Sequence, residues 1–322
     1  MLPHSTVSGG LGCAMKLPPG PDGRPAGVFE SVLGFQCDGD QSKGLIVGSV
    51  SVNGVRLHYE ETGQGTETVV FSHSFLLSGE HFAPQIKKLS RHYRCLAFDH
   101  RGHGASEAPN SGYDMESLYA DAVSFIELVG RSPCHFVGLS TGGFIGLRIG
   151  VRRPELVRSL VLMDTSADSE LPRNARQYRL MMAVLRFMGY WPLRRRIEST
   201  FFGKAFRSDP ARRRELKYWR SRVVANDRRA MVRFGRGILE RASVYDQLAS
   251  ITLPTLVVVG EEDVPTPVTA ASRIARAIPG ARLEVIPGAG HVCTVEQPGL
   301  VTKVLQGFLD GLGRAQTEPV AG

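Results

Sequence analysis

The chain has 322 residues, of which 42% are hydrophobic and 22% charged, a composition that excludes collagen-like, membrane-bundle and intrinsically disordered proteins. Lysine and arginine number 39 against 31 aspartates and glutamates, so the formal net charge is +8. A basic excess of this size keeps a nucleic acid or another anionic partner under consideration until the charges are located along the chain.

The cysteines and the apolar runs indicate the cellular compartment in which the protein is expected. The five cysteines are scattered and form no C-x-x-C pair, which indicates neither a disulfide framework nor a zinc site. The N-terminal residues lack the apolar run of a signal peptide, and no stretch reaches the roughly 18 apolar residues of a membrane span. We therefore expect a cytoplasmic protein with no membrane span, metal or cofactor.

The elements begin with a leader and a hairpin. Residues 1–46 are rich in glycine, proline, serine and aspartate without a helical or alternating period, which predicts a flexible leader before a single domain over 47–322. Val50 and Val52 then alternate with polar residues, and Asn53-Gly54 is the favoured two-residue turn of a hairpin. Two antiparallel strands are therefore predicted around this turn.

Six further short apolar runs have the character of buried parallel strands, because they are β-branched and bounded by turn residues. They lie at 68–71, 94–98, 135–137, 160–163, 255–259 and 283–286. Amphipathic helical patterns lie between them, for example at 115–129 and 301–312. The predicted class is α/β, with a mostly parallel, doubly wound sheet of eight strands.

One segment interrupts the alternation of strands and helices. Residues 168–245 contain no strand-like run, and their apolar spacing predicts three or four amphipathic helices inserted between two strands of the sheet. They also hold 20 lysines and arginines against 7 aspartates and glutamates, a net charge of +13, while the rest of the chain carries −5. The basic excess of the protein therefore belongs entirely to this insertion.

The strongest motif is Gly138-Leu139-Ser140-Thr141-Gly142, which follows the strand at 135–137 and precedes a helical run. A strand, a sharp turn and a helix are the setting in which a serine is held in a strained conformation as a nucleophile, with flanking glycines because side chains there would collide. A serine between glycines is common by chance and would by itself be interpreted as an ordinary turn. The context and the partners of Ser140 favour the nucleophile.

A serine hydroxyl needs a base within hydrogen-bond reach and a carboxylate that orients the base. Gly260-Glu261-Glu262-Asp263 follows the strand at 255–259, and Gly290-His291 follows the strand at 283–286. Because carboxyl ends of parallel strands meet at one edge of a sheet, both groups are expected beside Ser140. Glu261, Glu262 and Asp263 all lie beside the end of that strand, so each is a candidate for the acid.

From about residue 50 to 312 the sequence resembles the serine α/β-hydrolase superfamily, within it the esterase and enol-lactonase-like group with a helical cap. The matching segments are 99–106, 138–142, 260–263 and 290–291. The resemblance implies the α/β-hydrolase fold, with residues 168–245 as the cap. It implies Asp263 as the acid, with Glu262 second, because the family places the acid three positions after the glycine. It also implies a structural role for His100 and His103. His73 lies nearer the chemistry and is a candidate for orienting the oxyanion loop.

The oxyanion hole of such an enzyme needs two backbone N–H donors. The resemblance implies the amides of Thr141 and Phe75, the latter in the loop that follows the strand at 68–71. Ser74 departs from the family's His-Gly-x pattern, although some enol-lactonase-like members also carry serine there. This departure leaves the donors in place and makes the loop geometry an open question.

The insertion allows three interpretations of its charge. Its arginines could draw an anionic substrate towards the site, they could be solvated helix faces, which is the favoured reading, or they could bind nucleic acid, for which no motif is present. Its apolar side chains are expected to pack within the insertion and to cover Ser140: Met181, Met182, Leu185, Phe187, Met188, Trp191, Phe201, Phe202 and Trp219.

Together these patterns predict a cofactor-independent serine hydrolase that acts on a small carboxylic ester or lactone through an acyl-enzyme, with Ser140, His291 and Asp263 as the catalytic triad. The alternatives are a carbon–carbon bond hydrolase or a perhydrolase on the same triad, and a ligand-binding protein that uses the fold without catalysis. A serine at this position disfavours the related dehalogenases and epoxide hydrolases, which carry aspartate there.

Overall fold

Eight strands form one sheet in the computed structural model, which describes residues 44–315, without the side chains of Arg173 and of residues 313–315. The strands are β1 Ile46–Val52, β2 Val55–Thr62, β3 Thr68–Ser72, β4 Arg94–Phe98, β5 Cys134–Leu139, β6 Val157–Met163, β7 Thr255–Gly260 and β8 Arg282–Ile286. All eight coincide with strands predicted from the sequence. The predicted leader 1–46 lies outside the described residues except at its last three positions.

The order of the strands across the sheet is β1-β2-β4-β3-β5-β6-β7-β8. The pairs β1·β2 and β2·β4 are antiparallel, and every other pair is parallel. The predicted α/β class with a mostly parallel, doubly wound sheet is therefore confirmed. The strand order reverses beside β3, and in such sheets the crevice outside the carboxyl ends at the reversal is where ligands bind.

The hairpin between β1 and β2 has the predicted turn. Val52 pairs with Val55, and the two residues between them have positive φ, 45° at Asn53 and 75° at Gly54. A type I′ turn requires positive φ at both central positions, which is why the sequence signal at Asn53-Gly54 is reliable.

Eleven α-helices accompany the sheet in the described part of the chain. They are α1 Ala83–Leu89, α2 Met115–Phe125, α3 Thr141–Arg152, α4 Pro172–Met188, α5 Arg194–Phe201, α6 Lys204–Ser208, α7 Arg213–Ala225, α8 Arg228–Leu239, α9 Val268–Ala277, α10 Cys293–Glu296 and α11 Pro298–Ala315. The predicted helices at 115–129 and 301–312 correspond to α2, continued by a π-helical turn Ile126–Gly130, and to α11. None of the helices described is long and apolar enough to cross a membrane.

The apolar core has two parts, one on each face of the sheet. Val70, Leu96 and Phe136 belong to the part that contains α2 and α3, while Val69 and Phe71 belong to the part that contains α11. The alternation of neighbouring residues between the two parts follows from the two-residue period of a strand. Strands β3, β4, β5 and β7 are buried along their whole length, as expected for a sheet covered on both faces.

The insertion 168–245 lies between β6 and β7 as predicted, and it contains the five helices α4 to α8 rather than three or four. The difference arises at α6, a helix of only five residues, which is too short for a helical period to be visible in sequence. Buried residues of the insertion such as Trp219 and Phe234 join the same part of the core as α2 and α3.

Three of the nine apolar side chains expected to cover Ser140 or to pack within the insertion are exposed instead. Phe187, Met188 and Trp191 are exposed, whereas Met182 and Leu185 on the same helix are buried. Phe187 lies two positions beyond Leu185, about 200° around the helix axis, so both cannot face the core. Met188 is the last residue of α4, and Trp191 lies in the turn that follows.

Candidate functional site

Ser140 lies in the tight connection between β5 and α3, at the carboxyl edge of the sheet. Its backbone has φ of 54° and ψ of −105°, a combination that L residues adopt only when the surroundings impose it. Two hydrogen bonds hold it: the Ser140 amide donates to the Met163 carbonyl at 2.8 Å, and Thr165 Oγ1 donates to the Ser140 carbonyl at 2.9 Å. The last residue of β6 and the loop that follows it thus support the strained serine.

The glycines on either side of Ser140 are sterically required. A Cβ at Gly138 would lie 2.3 Å from the Gly142 carbonyl oxygen, and a Cβ at Gly142 would lie 2.0 Å from the Ser72 carbonyl oxygen. Both obstacles are backbone atoms, which cannot rotate away as a side chain could. The Gly-x-Ser-x-Gly spacing is therefore a packing requirement of this turn.

The structure brings Ser140, His291 and Asp263 together. His291 Nε2 lies 2.9 Å from Ser140 Oγ, and His291 Nδ1 lies 3.0 Å from both carboxylate oxygens of Asp263. Asp263 follows β7 and His291 follows β8, and all three side chains are buried. The linear arrangement of hydroxyl, imidazole and carboxylate can remove a proton from the serine as the serine attacks an electrophile.

Glu262, the second candidate for the acid, does not contact His291. Glu262 Oε2 accepts a hydrogen bond from the Lys204 amide at 2.6 Å, at the start of α6 in the insertion. Glu261 accepts from the Gly288 amide at 3.0 Å. Among the three consecutive acidic residues, only Asp263 contacts His291 in the described structure.

Thr266 holds Asp263 in place and was not singled out from the sequence. Its Oγ1 donates to Asp263 Oδ2 at 2.8 Å, and its amide donates to Asp263 Oδ1 at 3.1 Å. Threonine three positions after an aspartate is a common local turn, so the spacing was a usable signal. The pair of bonds leaves the carboxylate oriented towards His291 Nδ1.

The electrostatics of His291 result from two opposing effects. Burial disfavours the charged ring, but the adjacent Asp263 carboxylate, together with smaller effects of Asp164 and Glu296, outweighs burial, so the pKa of His291 is raised above its ordinary 6.5. A raised pKa stabilises the imidazolium that forms when the ring accepts a proton from Ser140.

A second buried carboxyl, Asp164, lies directly after β6. Its Oδ1 accepts a hydrogen bond from the Gly260 amide at 2.7 Å, and its Oδ2 has no hydrogen-bond partner in the described structure. Burial, followed by the nearby charge of Asp263, raises the pKa of Asp164 well above its ordinary value. An acidic residue at the end of a buried strand was the signal that could have identified it.

The loop after β3 is organised by three buried histidines. The Leu76 amide donates to His103 Nε2 at 3.1 Å, the His100 amide donates to His73 Nε2 at 2.8 Å, and His73 Nδ1 lies 2.7 Å from the Ser74 carbonyl oxygen. Burial lowers the pKa of all three rings, to about 4 for His100 and about 3 for His103, so the rings are neutral. These contacts agree with a structural role for His100 and His103 and with an orienting role for His73.

Of the two amides expected to form an oxyanion hole, one lies within the serine motif and the other in the loop after β3. Thr141 is the first residue of α3, and Phe75 lies in the histidine-supported loop. Neither amide donates a hydrogen bond to another group of residues 44–315. Ser74, at the position where glycine was expected, is buried and its Oγ donates to the Phe75 carbonyl at 3.3 Å, which orients the loop without using the Phe75 amide.

The insertion contacts both loops that flank Ser140. The Phe75 ring stacks on Phe234 of α8 with 5.6 Å between ring centroids, and Asn226 Nδ2 donates to the Leu76 carbonyl at 2.9 Å. On the other side the Val292 amide donates to the Phe201 carbonyl at 3.1 Å. The insertion therefore contacts both the loop after β3 and the loop that carries His291.

Two buried glutamates strengthen these attachments. Glu296 accepts from the Gly203 amide of the insertion at 2.7 Å and from the Gly290 amide at 2.9 Å, next to His291. Glu80 forms an ion pair with Arg222 of α7 at 2.7 Å. Burial raises the pKa of each carboxyl to about 7. Neither glutamate was singled out from the sequence, because their partners are distant along the chain.

An α/β sheet with a serine, a histidine and an aspartate at its carboxyl edge defines a class of hydrolytic enzymes. The chain belongs to the alpha/beta hydrolase fold family, whose model matches residues 67–298. The predicted resemblance to this superfamily and to its esterase and enol-lactonase-like members is confirmed.

Individual relatives cover most of the chain. RutD of Rhizobium rhizogenes, an inferred carbamate hydrolase, is 26% identical over 75% of this chain and 93% of its own. BpoC of Mycobacterium tuberculosis, an inferred non-heme bromoperoxidase, is 30% identical over 79% of this chain and 97% of its own. The crystal structure of the enol-lactonase from Burkholderia xenovorans matches with a TM-score of 0.75 and 27% identity, over 82% of this chain and all of that one. The family and these relatives support hydrolase activity.

Proposed function

We propose that the protein is a serine hydrolase that cleaves a carboxylic ester or lactone through an acyl-enzyme. The observation that carries the proposal is the 2.9 Å contact between Ser140 Oγ and His291 Nε2, in line with the contact between His291 Nδ1 and Asp263. The similarity to an enol-lactonase supports a cyclic or open ester as the substrate class.

The first half of the reaction forms the acyl-enzyme. Ser140 Oγ attacks the carbonyl carbon while its proton passes to His291 Nε2, and Asp263 stabilises the imidazolium. The negative oxygen of the tetrahedral intermediate lies against the amides of Phe75 and Thr141, which have no other acceptor in the described structure. The carbon–oxygen bond then breaks, and His291 returns the proton to the leaving oxygen.

The second half repeats these steps with water. His291 removes a proton from a water molecule, the resulting hydroxide adds to the acyl carbon, and Ser140 Oγ leaves and regains its proton from the imidazolium. For a lactone the alcohol and the acid remain one molecule, so a single hydroxy acid is released, and from an enol lactone the enol acid tautomerises to a keto acid.

The proposal is tested by covalent labelling and by turnover. The wild type should label with a fluorophosphonate and hydrolyse members of a panel of nitrophenyl esters and lactones. Ser140→Ala should abolish labelling and lower kcat by about a million-fold, the effect of removing a serine nucleophile from a comparable triad. The matched control Ser250→Ala, at an exposed serine after the insertion, should behave as the wild type.

Other outcomes identify the alternatives. If the wild type labels but turns over no ester or lactone while it cleaves a vinylogous diketone, the protein is a carbon–carbon bond hydrolase. Turnover of a carbamate alone would favour the chemistry of the RutD relative. An absence of labelling at Ser140 would indicate a ligand-binding protein.

A further inference from the structure

The insertion exposes a row of large apolar side chains on the outer side of α4. We name this row the outer stripe and define it as Leu180, Phe187, Met188 and Trp191, which are 66%, 77%, 66% and 80% exposed. Leu180 and Phe187 are seven positions apart, two helical turns, so they lie on the same face of α4. Met188 ends the helix, and Trp191 begins the short 3₁₀ helix Trp191–Leu193 beyond Gly189. Isolated exposed apolar residues are ordinary, but an aromatic and aliphatic row of this kind marks an interaction surface.

Unpaired positive charge surrounds the outer stripe. Exposed arginines lie within α4 and just beyond it: Arg176, Arg179, Arg186, Arg195 and Arg196. None of them forms an ion pair with a carboxylate of the described residues, whereas Arg220, Arg222 and Arg241 elsewhere in the insertion pair with glutamates. Exposed arginines without an ion pair in the described part of the chain also occur in α7 and α8, at Arg213, Arg214, Arg228, Arg229 and Arg236, so the whole insertion is basic and the outer stripe lies within that basic surface.

This combination favours one kind of partner. A helix with aromatic and aliphatic residues on the outer face and arginines beside them is the pattern of proteins that lie in the headgroup region of an anionic bilayer. Association of two copies through this face about a two-fold axis would bring the same arginines against each other, which is unfavourable. We propose that the outer stripe docks the protein peripherally on anionic lipid bilayers, with Trp191 and Phe187 inserted among the headgroups.

Docking at this surface would place lipid next to the helix that borders the site. Met182, on the inner side of α4, packs beside Gly235 of α8, and the Phe75 ring approaches the same glycine. The helix that meets the bilayer on one side thus belongs to the packing around the oxyanion loop on the other. The docking itself requires no catalysis, so it can be tested separately from the proposed hydrolysis.

The fluorescence of Trp191 can report on lipid binding. It contains two tryptophans, of which Trp219 is only 4% exposed, so a change in emission on lipid binding reports on Trp191. With the full-length protein, vesicles of phosphatidylglycerol and phosphatidylcholine should shift the emission to the blue and co-sediment with the protein. Vesicles of phosphatidylcholine alone should bind weakly, and rising salt should reduce binding to the anionic vesicles.

Variants locate the surface. L180E/F187E, which retains Trp191, should reduce partitioning to anionic vesicles by about ten-fold or more. R179Q/R186Q should weaken binding to anionic vesicles and leave the weak binding to neutral ones unchanged. The matched control Leu128→Glu alters an apolar residue that is 65% exposed but lies outside the insertion, and it should bind as the wild type. Ser140→Ala should also bind as the wild type, which separates this proposal from the proposed function.

Three results would overturn the proposal. The first is failure of the full-length protein to bind anionic vesicles. The second is binding that L180E/F187E does not change, which would show that another surface carries it. The third is a Trp191 emission that is already blue without lipid, which would mean that other residues of the chain or a second copy cover the stripe, and sedimentation velocity would distinguish these two occupants.

Discussion

At the scale of single residues, His291 is the group on which the proposed chemistry depends. Its ring is buried, which by itself would lower the pKa, yet the Asp263 carboxylate 3.0 Å away raises the pKa above 6.5. Thr266 and its two hydrogen bonds hold that carboxylate in position. The same short contacts that orient the ring therefore determine the pH at which it can accept a proton.

This balance predicts the acidic limb of the pH–rate profile. Only the neutral ring can accept the proton of Ser140, so kcat/KM should rise with pH and reach half its maximum above pH 6.5. In Asp263→Asn the limb should move to lower pH, because the cause of the raised pKa is gone, and kcat should fall by about 10⁴. A limb that stays in place in Asp263→Asn would contradict the assignment of Asp263 as its cause.

At the scale of elements, the turn between β5 and α3 shows how local geometry depends on close packing. Ser140 has positive φ, and the glycines beside it face backbone carbonyls at 2.3 and 2.0 Å from where a Cβ would lie. Neither Gly138 nor Gly142 can be exchanged without moving the strand, the helix or β3.

Gly138→Ala should therefore destabilise the protein by about 1–3 kcal/mol, the usual effect of forcing an extra carbon into a packed region. The matched control is Gly307→Ala, at an exposed position of α11 with no atom near the added carbon, which should be neutral or stabilising by up to about 1 kcal/mol because alanine favours a helix. Chemical denaturation of both variants measures the difference. Equal effects on the free energy of unfolding would argue against the steric interpretation of the motif.

At the scale of the whole molecule, two buried carboxyls join the insertion to the sheet. Glu80 pairs with Arg222, and Glu296 binds the amides of Gly203 and Gly290. The pKa of each is raised to about 7 from an ordinary 4.5, with burial as the main cause. Because the folded state binds these protons more tightly than the unfolded state, the two groups favour folding below pH 4.5, and this contribution is lost as the pH rises through 7.

The contribution of these two groups to the free energy of unfolding should thus decline between about pH 5 and 8, and Glu80→Gln should make that decline shallower. Arg222→Gln should make it steeper, because the pKa of Glu80 rises further when its cationic partner is removed. Arg153→Gln, in an exposed cluster with Glu127 and Glu155, is the matched control and should change stability by less than about 0.5 kcal/mol at any pH. Denaturation curves across this range measure all three variants, and parallel pH profiles would refute the role of Glu80.

The structure divides the arginines of the insertion into those that form ion pairs and those that do not. In sequence it is a uniform excess of +13 over residues 168–245. In the structure Arg212, Arg220, Arg222 and Arg241 form ion pairs with glutamates, while the exposed arginines of α4 do not. Sequence counting cannot separate these groups, because the paired glutamates lie up to 142 positions away from their arginines, as with Glu80 and Arg222.

The sequence by itself determined the fold class, the eight strands and the place of the insertion, because strand periodicity and turn chemistry act over a few residues. It also placed Ser140, Asp263 and His291 at one edge, since parallel strands present their carboxyl ends on the same side. Tertiary structure alone decided that Asp263 rather than Glu262 faces His291, that Asp164 and Glu296 lie buried nearby, and that Phe187 and Trp191 point outward. The positions of the acidic residues depend on contacts between segments far apart in the chain. The exposure of Phe187 and Trp191 depends on which side of the insertion packs against the core. The spacing of residues within a short segment specifies neither.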